Sequence, residues 1–157
     1  PRKMTIDVPQ DEGAAEVGIG IHAIRSKIEP FVENDKVSMR VEIKARANIY
    51  GNQTKYDISD QETLKFVSKE LQKGMKKKVE SFIKKIQKEY KSDIFGFGRE
   101  VYRKYPKEWK KKFKDRWGEI YPDLYVKVDI DMPIFDVGTS YKPLTIPDKE
   151  LKKIEKK

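Results

Sequence analysis

The chain has 157 residues, of which 39% are charged and 37% hydrophobic, and carries a net charge of +9. This length suits one domain with a substantial core, and no apolar run approaches a membrane-spanning helix. The absence of cysteine excludes a disulfide framework, a thiolate metal site and a thiol nucleophile, and the lone histidine, His22, excludes a multi-histidine zinc site.

Taken in order, residues 1–16 show no sustained periodicity and contain Pro9, Gly13 and several acids, so they read as a linker or arm. A first strand is predicted over about residues 17–31. Its alternation shifts phase from Ile19, Ile21 and Ala23 to Ile24, Ser26 and Ile28, which places a bulge near Ala23. Asn34, Asp35 and Lys36 make a turn. A long strand follows, with Val37, Met39, Val41, Ile43, Ala45, Ala47 and Ile49 on its dry face. Arg40, Lys44 and Arg46 lie on its wet face, and Gly51 and Asn52 end it.

Residues 60–90 are predicted as a long amphipathic helix, opened by a capping box of Ser59 and Glu62. Leu64, Val67, Leu71, Met75, Val79, Phe82, Ile83, Ile86 and Tyr90 fill an apolar arc roughly 160° wide at about 100° per residue. Lysines crowd the opposite side, with Lys73, Lys77, Lys84 and Lys88 as the candidate basic surface. Residues 69–116 alone hold 18 Lys and Arg against 7 acids, a basic half that suits an acidic partner.

The most distinctive local sequence comes next: Asp93, Ile94, Phe95, Gly96, Phe97, Gly98, then Pro106, Lys107, Glu108 and Trp109. Ser92 or Asp93 can cap a short helix, and Pro106 suits the first turn of another. On that second helix Trp109, Phe113, Trp117 and Ile120 recur at core spacing, so both tryptophans are expected to be largely buried. Late strands follow, with Leu124, Val126, Val128, Ile130 and Met132 dry and Lys127, Asp129 and Asp131 wet. Residues 134–137 form a short last strand, and a charged tail occupies residues 145–157.

The run from Asp93 to Gly98, the Pro-Lys-Glu-Trp at 106–109 and the strand Leu124 to Ile130 resemble the C-terminal domain of Ger(x)C spore germination proteins, the C subunits of nutrient germinant receptors. The resemblance covers roughly residues 17–144. It implies a non-catalytic receptor subunit acting through contacts with the receptor's membrane subunits or an anionic membrane surface. It further implies a lipid anchor at the outer face of the inner spore membrane, carried by a segment upstream of this chain, which is therefore expected to be a fragment. The family motif then comprises Asp93, Phe95, Gly96, Phe97, Gly98, Pro106, Trp109 and Trp117, in a structural or partner-binding role.

Other constellations read as structural. A phosphate-binding Gly-x-Gly needs a preceding strand and a third glycine, and here a helix precedes Gly96. Asp129 and Asp131 could form half a calcium site, but basic residues on the neighbouring wet face make cross-strand ion pairs the better reading. Asn52, Gln53 and Thr54 form a glycosylation sequon by letter only. The alternative function is a basic nucleic-acid-binding module using the lysines with Tyr102, Tyr105, Trp109 and Trp117, and the core spacing of those aromatics weighs against it. No metal or cofactor is implied. The fold expected is a single α+β domain, with an antiparallel sheet of about four strands, the long helix on one face and two shorter helices at one end.

Overall fold

A computed structural model describes residues 2–136, and its fold is α+β. The strands are β1 (Arg2–Pro9), β2 (Ala14–Glu33), β3 (Lys36–Asn52), β4 (Tyr125–Asp131) and β5 (Ile134–Asp136). Between β3 and β4 lie the helix α1 (Gln61–Lys85), the shorter α2 (Phe97–Lys104) and a series of short helical turns over residues 106–123. The sheet order is β1-β2-β3-β4, with β5 also on β3. The chain divides into two compact units, one of residues 2–24, 45–75 and 132–136, the other of residues 25–44 and 76–131. The expected tail at 145–157 and the last residue of the expected strand at 134–137 lie outside the described residues.

Two expectations about the sheet are corrected. Residues 2–9 are no linker: they form β1, antiparallel to β2 from Arg2↔Ile21 to Pro9↔Ala14. Ile6 and Val8 alternate into the core, while Pro9 ends the strand and Gly13, at φ 85°, turns the chain. The sheet is also mixed rather than antiparallel, because β4 and β5 both run parallel to β3. A connection through helices returns a strand to the same end of the sheet, and that return is parallel. The β2–β3 hairpin closes through Asn34 and Asp35, at φ 49° and 60°, the double positive φ of a tight hairpin turn. Ala23, where the alternation shifts phase, has φ 48°.

In the first unit, Ile6, Val8, Val17, Ile19, Ala47, Ile49, Val67 and Leu71 are buried together with Ile58 and Met132. Gly74 lets α1 pass close to β1, since a Cβ there would sit 2.4 Å from Ile6 Cγ2. The start of α1 is held one residue later than the capping box predicts. Asp60 Oδ2 accepts from the Thr63 amide and the Thr63 hydroxyl, both at 2.8 Å, whereas Ser59 donates to Asp57. An aspartate carboxylate is a strong acceptor for first-turn amides, which explains the shift. These bonds, the Thr63 amide first, hold the Asp60 carboxyl below its ordinary value. Its contribution is therefore present above the ordinary aspartate range, about pH 4, and is lost as pH falls through the lower folded value. Asp60→Ala should lower the urea midpoint at pH 7, and the loss should shrink as pH falls below the ordinary aspartate value; a loss independent of pH would place the cap elsewhere.

In the second unit, Met39 and Val41 from β3, Val128 from β4, Ile83 from α1 and Phe97 and Val101 from α2 form one core with Phe113, Tyr121 and Leu124. On the wet face Glu42 and Asp129 sit directly opposite one another. Arg40 reaches diagonally to Asp129 at 2.7 Å, and Lys44 takes Glu42 at 3.1 Å. The expected pairing across the sheet thus holds for Arg40, while Lys44 pairs along its own strand. Of the two carboxylates that could have resembled half a calcium site, Asp129 is thus taken by Arg40.

Candidate functional site

The family motif is assembled around the Asp93 carboxylate. Its Oδ1 accepts from the Phe97 amide at 2.8 Å, and its Oδ2 accepts from the Gly98 amide at 2.7 Å and from Trp117 Nε1 at 3.1 Å. These amides open α2, where the first turn has no intrahelical acceptor and the dipole favours a negative charge. Gly96, at φ 73°, occupies the cap position itself, in the left-handed region that glycine adopts at no steric cost. The carboxylate therefore serves the helix from three residues upstream and ties it to the indole of Trp117.

Gly98 completes the assembly. A Cβ there would lie 2.8 Å from Trp109 Cη2 and 2.9 Å from Trp117 Nε1, so both indoles rest on its bare backbone. Their rings meet edge to face at 5.1 Å. On one regular helix, residues eight apart would be displaced by about 12 Å along the axis. Bringing them together breaks the expected helix into Pro106–Glu108, a widened turn Trp109–Phe113, a tight turn Lys114–Arg116 and Trp117–Ile120. Pro106 does occupy the first turn of this segment. Both tryptophans are largely but not fully buried, as expected, packed against the core cluster rather than inside it.

Aromatic contacts continue from this point. Phe97 stacks on Phe95 at 5.3 Å and meets Tyr121 at 6.2 Å, and Tyr121 meets Trp117 at 6.4 Å. Tyr121 is buried, and its hydroxyl has no hydrogen-bond partner among the described residues. Burial first, and the Asp93 charge second, push its pKa up to about 12. Asp93→Ala would strand two amides and an indole N–H and should cost about 2 kcal/mol, within the range for bonds to a charged group. A melting curve measures it; a loss below about 0.5 kcal/mol would mean that water replaces the carboxylate.

Several residues that matter locally gave little sign in the sequence. The end of α1 widens into a turn of i→i+5 bonds over Ile86–Tyr90, closed by Lys91 at φ 48°. Such a turn rotates the chain less per residue, which brings Gln87 inward. Gln87 is buried and donates to the carbonyls of Tyr121 at 3.0 Å and Leu124 at 2.9 Å. The same turn removes Tyr90 from the expected buried arc, leaving it 63% exposed, and Phe82 is 53% exposed with its ring against Phe95. Asn52 and Thr54 form a buried local network, with the Thr54 hydroxyl donating to Asn52 Oδ1 at 2.6 Å. The sequon by letter is thus a buried turn. His22 Nε2 lies 2.9 Å from Asn48 Oδ1, and its ring meets Phe135 edge-on, a structural placement.

The candidate basic surface is only partly free. Lys73 pairs with Glu70 at 3.4 Å and Lys88 with Asp123. Lys77 and Lys84 make no ion pair among the described residues. Among these residues there is no group of three or more His, Asp or Glu that could hold a metal ion, and no helix is long and apolar enough to cross a membrane.

Residues 2–138 match the family described as "Spore germination B3/GerAC like, C-terminal". The chain belongs to this family. The GerAC-like relatives include spore germination protein KC of Bacillus subtilis (strain 168), 32% identical over 120 residues that make up 76% of this chain and 29% of that protein. The putative spore germination protein YfkR of the same organism is 29% identical over 140 residues, covering 89% of this chain and 35% of that one. The chain thus spans about a third of the length of the curated relatives it matches. The crystal structure of the GerBC protein shares the fold, with a TM-score of 0.69 at 21% identity over 86% of this chain and 41% of that one. The GerAC-like match covers the entire motif assembled on Asp93, and it begins at β1.

Proposed function

We propose that this chain is the C-terminal domain of a nutrient germinant-receptor subunit, without catalytic activity, that works in spore germination through protein–protein contacts. The family match over residues 2–138 carries this reading, since it takes in every described residue. The partners are the receptor's membrane subunits. The full subunit is held at the outer face of the inner spore membrane by a lipid anchor. Within the domain, Asp93, Gly96, Phe97, Gly98, Trp109 and Trp117 act as a positioning frame: their polar and aromatic groups are spent on one another. Phe95 and Pro106 set the entry and exit of the same frame. The tagged chain should co-purify with the membrane subunits from germinant-receptor-expressing cells, with crosslinks confined to one surface. Failure to co-purify under conditions that keep the membrane subunits associated would overturn the reading.

A second contact, with the anionic membrane surface, follows from the lysines of α1 and of the widened turn Ile86–Tyr90 after it. A lysine close to such a surface contributes about 1 kcal/mol. Lys77 and Lys84 are available, while Lys73 and Lys88 would first have to leave Glu70 and Asp123. Reversal of Lys73, Lys77, Lys84 and Lys88 to Glu should abolish salt-sensitive sedimentation with phosphatidylglycerol vesicles. Equal sedimentation of variant and parent would reduce the stripe to a solubility device.

A further inference from the structure

We propose that the outer edge of β4 and the groove beside it receive an extended, acidic segment of a partner protein as an added strand. β4 is the last strand in the sheet order, hydrogen-bonded to β3 on one side, and among the described residues no strand lies on its other side. An edge strand presents a row of unpaired N–H and C=O groups, which natural proteins blunt with charged side chains, as Lys127 does here, or with proline, a bulge or a cover. The seven residues Tyr125–Asp131 contain no proline.

A groove of about 510 Å³ runs between this strand and α1. Ile83 from the helix and Leu124 and Val128 from the strand side are buried beneath its floor, while half-buried Val126 and Tyr125, 68% exposed, line it. An edge strand facing a helix across an apolar groove is the arrangement in which a peptide adds as a strand: backbone bonds give affinity, and alternate side chains enter the groove.

Charge selects the occupant. Lys76, Lys84, Lys88 and Lys127 line the groove with Glu80 and Asp123. Lys76 is paired with Glu80 at 3.8 Å and Lys88 with Asp123, which leaves Lys84 and Lys127 without an ion pair among the described residues. Two uncompensated positive charges beside an apolar channel favour a segment that alternates acidic and apolar residues. The chain's own residues 137–157 are a poor match, with six lysines against three acids and prolines at 143 and 147. The inference deepens the receptor reading by naming the chemistry of the partner segment, and its test stands apart from that reading.

The test is an NMR titration of the full 157-residue chain with a short peptide of alternating glutamate and valine. Shift changes and slowed amide exchange are expected along β4 and at Ile83 and Lys84. The pair Lys84→Glu and Lys127→Glu should weaken binding at least about tenfold at an unchanged melting temperature. A peptide of alternating lysine and valine, or one interrupted by a central proline, should not bind. Shifts mapping elsewhere, equal binding of either control peptide, or no binding at all would overturn the proposal. Binding that appears only when the chain is cut after residue 136 would assign the groove to the chain's own C-terminal residues and overturn it too. A failed titration beside successful co-purification would remove the groove and leave the receptor reading in place.

Discussion

Gly98→Val should lower stability by about 3 kcal/mol, the upper part of the range for overpacking, and the melting temperature by roughly 10 °C. The first added carbon would stand 2.8 Å from Trp109 Cη2 and 2.9 Å from Trp117 Nε1, and the γ-methyls would go further into the same space. Neither indole can yield cheaply. Trp117 is tied to Asp93 at 3.1 Å, and Trp109 is braced against Trp117. Trp117 would have to break its bond to the carboxylate that also holds the start of α2. Gly118→Ala is the internal control, since a Cβ at that position meets nothing within 4 Å. It should be neutral or mildly stabilising through helix propensity. A Gly98→Val protein that melts with the parent would show that the two tryptophans are not seated on this glycine, and would reopen the motif as an outward binding surface.

Gly74→Val should cost about 2–3 kcal/mol for a related reason on the first unit. Its Cβ would sit 2.4 Å from Ile6 Cγ2, a branched methyl on a buried side chain with restricted χ1, and so not a flexible end that can swing away. Even Gly74→Ala, which gains up to about 1 kcal/mol in propensity, should destabilise. The pair with Ile6→Ala separates the causes. Ile6→Ala alone should cost about 2–5 kcal/mol, and the double variant should cost less than the two singles combined. Strict additivity in chemical denaturation would place Gly74 out of reach of β1.

How much of this could be read from the chain depends on whether the deciding interaction was local. The dry face of β3 was legible because its alternation over seven positions admits one interpretation, and burial follows it from Met39 to Ile49. The tight turn at Asn34 and Asp35, and the stop at Pro106, are likewise local chemistry. β1 was equally legible in Met4, Ile6 and Val8, but Pro9 and the surrounding acids disguised it. Charge on the outer face of an edge strand is how such strands stay monomeric, so acidity was no argument for a linker. The parallel register of β4 was implied by the helices before it. Its antiparallel reading came from one-sided alternation, which a sheet covered on one face shows in either direction.

The motif divides in the same way. Asp93 as an acceptor for first-turn amides, and Gly98 as a point of close approach, follow from residue type. The convergence of Trp109 and Trp117 does not, because periodicity assumes a regular helix, and here tertiary packing on one glycine bends the segment out of it. Gln87 was unreadable for a related reason: only a widened turn brings it inward, and nothing in the local sequence announces one.

The paired indoles also give the chain a built-in optical gauge. Two tryptophan rings 5.1 Å apart and inclined at 61°, with no other tryptophan in the sequence, form one coupled chromophore. Their near-ultraviolet circular dichroism is a property of the pair, sensitive to the angle between the rings and lost when either swings away. One of them is hydrogen-bonded to Asp93 and both rest on Gly98, so any partner that strains the frame writes its effect directly into that signal. Engagement of a partner could then be followed without a label in the long-wavelength tryptophan band, which the eight tyrosines do not share.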